Sequence, residues 1–142
     1  NPTERIEVLP SDAIPWSGGK ALVATGIPVE PVSYQGTKFH IGQGNNALLY
    51  PGLGLGVIVS GARHVTDGML LAAAQAVAGQ VNPQELGASL LPPVDNLRAS
   101  SATVAVAVAR QAVAEGVATR QHDNWVQAVQ DAMWQPAYPA AS

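Results

Sequence analysis

The chain has 142 residues, of which 12% are charged and 47% are hydrophobic, and its formal net charge at pH 7 is −3. A typical soluble domain has about 25% charged residues, so this chain is short of the charge that an ordinary surface carries. The sequence has no cluster of Lys or Arg, which excludes nucleic acid and anionic membrane as partners. It also has no cysteine, which excludes disulfides, thiolate metal sites and cysteine nucleophiles and suits a reducing cytoplasm, where we expect the protein.

Two long stretches, residues 39–62 and 68–84, contain no Asp, Glu, Lys or Arg. Such stretches need a cover, because large exposed apolar patches usually mark a partner surface. We therefore expect missing polypeptide, another subunit, or both. The longest apolar run, residues 47–62, contains Pro51 and four glycines and is shorter than the ~20 residues that span a bilayer. It is predicted to be core.

The amino-terminal part is predicted to contain one short helix and one buried strand. Ser11 is expected to cap a helix over residues 12–16, which a Ser-Gly-Gly sequence ends. Residues 21–25 are uninterruptedly apolar, the pattern of a parallel strand buried on both faces. The other extended region, residues 32–41, turns at a Gln-Gly pair. A buried strand needs more neighbours than these, so we expect the rest of the sheet elsewhere.

The remainder of the chain is predicted to be helical. Longer helices are expected over residues 46–61, 67–78 and 97–118, and shorter ones over 83–86 and 123–133. The alternation of Val and Ala in residues 103–109 fits a strand by period alone. A helix is preferred because this run lies in more than 20 alanine-rich residues without a turn signal. The Pro-Ala tail, residues 136–142, is predicted to be frayed.

The sequence Pro-Gly-Leu-Gly-Leu-Gly, residues 51–56, is similar to a phosphate-binding loop. The dinucleotide fingerprint, however, requires a glycine where Val57 stands, a strand just before it and an acidic residue about 20 positions later. Neither the strand nor the acidic residue is in place. The preferred interpretation is close helix packing through small residues.

The sequence Gly-Gln-Gly-Asn-Asn, residues 42–46, delivers two carboxamides just ahead of a predicted helix start. A carboxamide can donate to a carboxylate and accept from a hydroxyl at the same time, which suits a small hydroxy acid or a nicotinamide. The alternative is that Asn45 or Asn46 only caps the helix. The residues alone favour that alternative.

No complete catalytic set can be assembled from the other polar residues. His40, His64 and His122 lie too far apart, and without a carboxylate at helical spacing, for a metal site or a triad. Lys20 and Lys38 have no neighbour that would tune either of them as a base. The acidic residues are scattered, so no cluster of ligands for a divalent metal is visible.

Several blocks, in order, resemble the malic enzymes: Asn-Pro-Thr at 1–3, residues 21–28, 42–46, 51–56, 60–63 and 66–67. The combination of the Asn-Asn loop, the Pro-Gly-Leu-Gly segment and the Ser-Gly-Ala-Arg turn is specific to that family. Beyond residue 90 only a Pro-Pro pair and the long helix resemble it. One departure is Gly-Ile-Pro-Val at 26–29, where the family commonly has Gly-Ser-Pro-Phe, so no role of that serine carries over.

The resemblance implies an α/β fold. Residues 1–142 would be the carboxyl-terminal half of a Rossmann-type NAD(P)-binding domain, mostly helical, with one buried strand and a hairpin. Malic enzymes oxidise malate with NAD or NADP and decarboxylate the bound oxaloacetate to pyruvate and CO2, with Mg or Mn as Lewis acid. Carried over, Asn1 and Asn45 would bind malate, and Asn46 would face the cofactor.

The family's acid, base, metal ligands and phosphate-binding turn lie upstream of the Asn-Pro-Thr motif. The resemblance therefore implies no catalytic residue and no metal ligand in this chain. It also implies two partners, the remainder of a malic enzyme chain and further subunits of a homo-oligomer. Malolactic enzymes share these motifs and convert malate to lactate, so the product stays open. A different class of function is a non-catalytic module whose apolar surface serves assembly.

Overall fold

The computed structural model describes residues 6–135. Within this range the chain forms short strands followed by helices, in the order α1 (Pro10–Trp16), β1 (Ala24–Thr25), β2 (Val32–Tyr34), β3 (Thr37–Phe39), β4 (Gly42–Gln43), α2 (Tyr50–Ser60), α3 (Asp67–Ala78), α4 (Leu97–Ala114) and α5 (Trp125–Ala132). The predicted role of Asn1 and the predicted frayed tail lie outside the described residues. None of the helices in this range is long and apolar enough to cross a membrane.

The core is built around α4, which contacts α2, α3 and α5. Val104 and Val108 of α4 and Met69 of α3 are fully buried. They belong to one cluster with Leu48, Leu53, Ala73, Val77, Ala112 and Val117. Burial of a side chain of this size contributes about 1.5–3 kcal/mol, so the central position of α4 follows from where the apolar residues are. The alternating Val-Ala run is helical, as predicted.

Helices α2 and α4 approach each other closely at two glycines. A Cβ added at Gly52 would lie 2.5 Å from Cβ of Val104, and one added at Gly56 would lie 2.7 Å from Cβ of Val108. Real Cβ atoms essentially never come this close, so these positions require glycine for the helices to pack at this distance. The Pro-Gly-Leu-Gly-Leu-Gly segment is therefore a helix contact, as predicted, and not a phosphate loop.

The predicted hairpin is confirmed. Strands β2 and β3 pair antiparallel, with Ser33 opposite Lys38. The two residues between the strands, Gln35 and Gly36, have φ values of 49° and 78°. Positive φ at both central positions is the geometry of a two-residue hairpin turn, which the Gln-Gly pair signals in the sequence.

The predicted strand at residues 21–25 forms in part. Only Ala24 and Thr25 are in β1, which pairs in parallel with β4 so that Ala24 lies opposite Gly42. The prediction that this strand is buried on both faces is wrong for this chain, because Leu22 is 66% exposed. Between residues 6 and 135, β4 is the only strand beside it, so the neighbours that would cover β1 are absent.

Other helix predictions also need correction. The first helix starts at Pro10 rather than residue 12, and Ser11 does not cap it, because proline is favoured at the first helical position. The segment 83–86 forms turns instead of a helix. Helix α4 ends at Ala114, four residues early, because Gly116 with φ 70° reverses the chain there. The predicted limits of α3 are confirmed.

Candidate functional site

The Gly-Gln-Gly-Asn-Asn loop leaves the carboxyl end of β4, beside the carboxyl end of β1. The N–H of Gly44 donates to the carbonyl oxygen of Thr25 over 2.7 Å, which ties the loop to the end of β1. In open α/β sheets, ligands bind in the crevice outside the carboxyl ends of the strands. The fold therefore places the two asparagines where a ligand is expected.

Asn45 caps a short 3-10 turn, Asn46–Leu48, with which the predicted helix over 46–61 begins. Its Oδ1 accepts from the N–H of Ala47 over 2.9 Å, and its own N–H donates to the carbonyl oxygen of Gln43 over 3.0 Å. The capping interpretation is thus confirmed for Asn45. A carboxamide also has an NH2 group, and the side chain is exposed, so that amide is available to a ligand while the cap is kept.

Asn46 has the freer side chain of the two. It is exposed at the first position of the turn. Its carboxamide makes no hydrogen bond to any residue in the described part of the chain, so it can both donate and accept. It does not cap the helix, because Leu49 occupies the capping position of α2 and uses no side-chain hydrogen bond.

The two asparagines line one side of an open groove of about 390 Å³. Volumes of about 300–1,000 Å³ are usual for small-molecule sites, which combine apolar walls with a few polar groups. The groove has this character. Its other lining residues are Gly44, Leu48, Leu49, Tyr50, Val77 and Leu91.

The loop before the asparagines is held by close contacts with the segment that follows α3. A Cβ added at Gly42 would lie 3.1 Å from both the backbone nitrogen of Leu91 and Oγ of Ser89. Ser89 is itself fixed, because its hydroxyl donates to the carbonyl oxygen of Leu91 over 2.7 Å. The glycine thus lets β4 lie against this segment, and Leu91 forms part of the groove as a result.

A second cleft, of about 470 Å³, adjoins this edge of the sheet. It lies between the loop after β1 and residues 89–95, and His40, Gln43 and Asp95 are its main polar residues. Neither asparagine lines it. The chemistry predicted from the sequence therefore belongs to the groove and not to the larger cleft.

The other candidate groups are not brought together. No group of three or more His, Cys, Asp or Glu able to hold a metal ion occurs among residues 6–135. His122 lies with Nε2 3.3 Å from the carbonyl oxygen of Val59 and packs edge-on against Trp125. Lys20 and Lys38 are exposed.

One polar cluster was not found by sequence analysis. The hydroxyl of Thr66 and the amide of Gln111 both donate to the carboxylate of Glu115. These two hydrogen bonds, the first most strongly, hold the pKa of the Glu115 carboxyl below its ordinary value. Because Thr66 caps α3 and Glu115 follows α4, the cluster joins two helix ends.

Comparison with known proteins gives a consistent result. The family described as "Malic enzyme, NAD binding domain" matches residues 1–113. The chain is 55% identical to NAD-dependent malic enzyme 3 of Bacillus subtilis, over 97% of this chain and 24% of that protein. It is 44% identical to the malolactic enzyme of Lactococcus lactis, over 97% of this chain and 26% of that protein.

Among solved structures, the malic enzyme of Pyrococcus horikoshii superposes with a TM-score of 0.69 and 32% identity. The superposition covers 89% of this chain and 26% of that one. The chain thus spans about a quarter of the length of the relatives that it matches. Its α/β elements are those of part of a Rossmann-type domain.

Proposed function

The chain belongs to the malic enzyme family, within its NAD-binding domain, and on this premise we propose that it is part of a malate oxidoreductase. The reaction is oxidative decarboxylation of malate to pyruvate and CO2 with NAD or NADP. The observation that carries the proposal is the exposed Asn45-Asn46 turn at the carboxyl ends of two parallel strands. That turn belongs to one of the three segments whose combination is specific to the family.

Asn45 and Asn46 have different roles in this proposal. The NH2 group of Asn45 donates to a carboxylate oxygen of malate while its Oδ1 keeps the cap on the turn. Asn46, whose carboxamide is unengaged within residues 6–135, pairs with the nicotinamide carboxamide, which offers the complementary donor and acceptor. Asn1 is the second malate ligand in the proposal and lies outside the described residues.

The proton-transfer groups and the metal ligands are assigned to polypeptide outside this chain. The described range has no cluster of metal-ligating side chains, so a magnesium or manganese ion does not fit among these residues. The part of the reaction that this chain performs is binding and orientation. A substrate that is held at a fixed distance and angle from the reacting group reacts faster, because its translational and rotational entropy is lost on binding and not in the chemical step.

The open edge and exposed face of β1 support the proposal that the remainder of a malic enzyme chain packs against this one. Thr25 directs its carbonyl oxygen to β4, where Gly44 donates to it. The N–H and C=O groups of successive strand residues point to opposite edges of the strand. The N–H and C=O of Ala24 therefore face the edge of β1 that lies away from β4. Leu22 and Ala24 also leave one face of β1 exposed, and parallel sheets are normally covered on both faces. A neighbouring strand and a covering layer complete this sheet.

The proposal extends to the whole assembly. A homo-oligomer in the cytoplasm would cover further apolar residues such as Trp16, which is 76% exposed, and the lack of cysteine suits that compartment. A malolactic reaction is the second candidate, favoured by the 44% identity with the Lactococcus lactis enzyme. A non-catalytic assembly module is the third, favoured by the same exposed apolar residues.

Binding by the isolated chain tests the proposal. We expect malate and nicotinamide mononucleotide, added at millimolar concentration to the labelled 142-residue chain, to shift the NMR resonances of the Asn45-Asn46 turn. The substitution Asn46→Ala should weaken binding of the mononucleotide at least threefold, because it removes two hydrogen bonds of about 0.5–1.5 kcal/mol each. Asn96→Ala is the matched control, since Asn96 is also exposed and makes no capping hydrogen bond.

An assay for malate-dependent reduction of NAD and NADP with manganese separates the candidates further. The 14.6 kDa chain alone should show no turnover, because it lacks the proton-transfer groups. Turnover by that species would contradict the assignment of those groups to other polypeptide. Equal weakening by Asn46→Ala and Asn96→Ala, or no binding of either probe, would leave the assembly module as the better account.

A further inference from the structure

Tyr50 is the large aromatic side chain in the groove that contains the two asparagines. It is 59% exposed, although it stands at the first position of a helix whose opposite face is buried against α4. Its hydroxyl makes no hydrogen bond with any described residue. Tyr34, by contrast, accepts at its hydroxyl from Nε2 of Gln35 over 3.1 Å. The exposed position of Tyr50 therefore needs an explanation other than local packing.

The backbone at Tyr50 is held in place relative to the asparagines. Pro51 follows it and restricts the backbone of both residues. One residue later, Gly52 lies in contact with α4, with no room for a Cβ. On the other side, Leu48 of the 3-10 turn is 2% exposed. The segment between Asn46 and the start of α2 is thus anchored at both ends, which keeps the residue that carries the aromatic ring beside the groove.

We propose that the face of Tyr50 packs against the nicotinamide ring and favours its oxidised, positively charged form. The inference rests on the proposed function, because Asn46 brings the ring to the groove by pairing with its carboxamide. An aromatic face attracts a cation that lies within about 6 Å of its centre. The reduced ring is neutral and loses this attraction, so Tyr50 discriminates between the two redox forms of the cofactor.

The other walls of the groove suit a planar ring. Leu49, Val77 and Leu91 are partly or largely buried, and they line the groove with Tyr50. Their apolar side chains can contact the ring but offer it neither hydrogen bonds nor charge. The carboxamides and the aromatic face are therefore the groups that distinguish one ligand from another in this groove.

The experiment measures how Tyr50 variants bind oxidised and reduced nicotinamide mononucleotide, with the labelled 142-residue chain and NMR titration. For Tyr50→Leu we expect the oxidised probe to bind about two- to fivefold more weakly, from the usual strength of an exposed cation–π contact. The reduced probe should bind with less change, so the ratio of the two affinities falls. Tyr50→Phe keeps the aromatic face and should keep the ratio. Tyr34→Phe is the control on the distant hairpin.

The outcomes separate this inference from the proposed function. An unchanged ratio in Tyr50→Leu, while Asn46→Ala still weakens both probes, overturns the role of Tyr50 and leaves the site in place. A ratio that falls in Tyr50→Phe as much as in Tyr50→Leu overturns it too, because the aromatic face is then not the cause. If the unsubstituted chain binds neither probe, both the site and this inference fail.

Discussion

The Glu115 carboxylate joins two helix ends through side-chain hydrogen bonds. It is exposed, yet the hydroxyl of Thr66 and the amide of Gln111 both donate to it. The same hydroxyl accepts from the N–H of Met69 and so caps α3. A charged acceptor strengthens such bonds, and protonation of the carboxyl would weaken both of them. Stability should therefore depend on the charge of Glu115.

The first prediction concerns the pH dependence that Glu115 contributes. A carboxyl whose pKa is lowered by folding contributes stability above its ordinary pKa, about 4.3, and loses it as the pH falls through the lowered value. In Glu115→Gln this contribution is absent at every pH. Urea midpoints of the two proteins should differ most near neutral pH and converge as the pH falls below the lowered pKa of Glu115.

Glu30→Gln is the control for this measurement, because Glu30 is also exposed and makes no hydrogen bond or ion pair with the described residues. Its midpoint should differ from that of the unsubstituted chain by the same small amount at all pH values. A constant difference between Glu115→Gln and the unsubstituted chain from pH 3 to pH 7 would contradict the role of Glu115.

Helix α2 follows the Asn45-Asn46 turn at one end and packs on α4 along its length. Three glycines in this helix have unequal surroundings. A Cβ at Gly52 or Gly56 would meet the α4 backbone at 2.7 Å, whereas one at Gly54 would have nothing within 4 Å. The contact with α4 fixes the axis of α2, and through it the position of the Asn45-Asn46 turn.

The second prediction is that two alanine substitutions in α2 change stability in opposite directions. Gly54→Ala should stabilise the chain by about 0.5–1 kcal/mol, because alanine loses less backbone freedom than glycine in a helix. Gly56→Ala should destabilise it by about 1–3 kcal/mol, because overpacking forces the helices apart. Urea unfolding of both variants measures the two effects. A stabilising effect at both positions would contradict the close packing of α2 on α4.

The elements that sequence analysis predicted best are those specified by local signals. The limits of α3 follow from Thr66 at its cap, and the hairpin follows from its Gln-Gly turn. The capping role of Asn45 likewise follows from its position just ahead of a predicted helix start. The predicted end of α4 was four residues too late because Gly116, a residue type that commonly ends a helix, was not taken as its end. The Glu115 cluster was missed because its partners are 49 residues apart.

At the scale of the whole molecule, exposed apolar side chains lie close to β1. Leu22 before β1 and Leu86 are 66% and 74% exposed, and both line one shallow cleft beside the amino-terminal side of β1. The apolar pattern of residues 21–25 predicted a buried strand, but in this chain β1 has β4 as its one neighbour among the described residues, and a two-stranded sheet cannot cover both of its faces.

The last prediction tests the open edge of β1 in a complete enzyme. The test uses a chimera of NAD-dependent malic enzyme 3 of Bacillus subtilis, in which this chain replaces the segment that is 55% identical to it. Ala24→Pro should lower malate-dependent NAD reduction by the chimera at least tenfold, because proline removes the N–H that faces the neighbouring strand. In the isolated chain the same substitution should change the free energy of unfolding by less than about 1 kcal/mol, since the Ala24 N–H does not point to β4. Full activity of the substituted chimera would mean that no strand pairs with the open edge of β1. A large loss of stability in the isolated chain would mean that the Ala24 N–H is hydrogen-bonded within that chain.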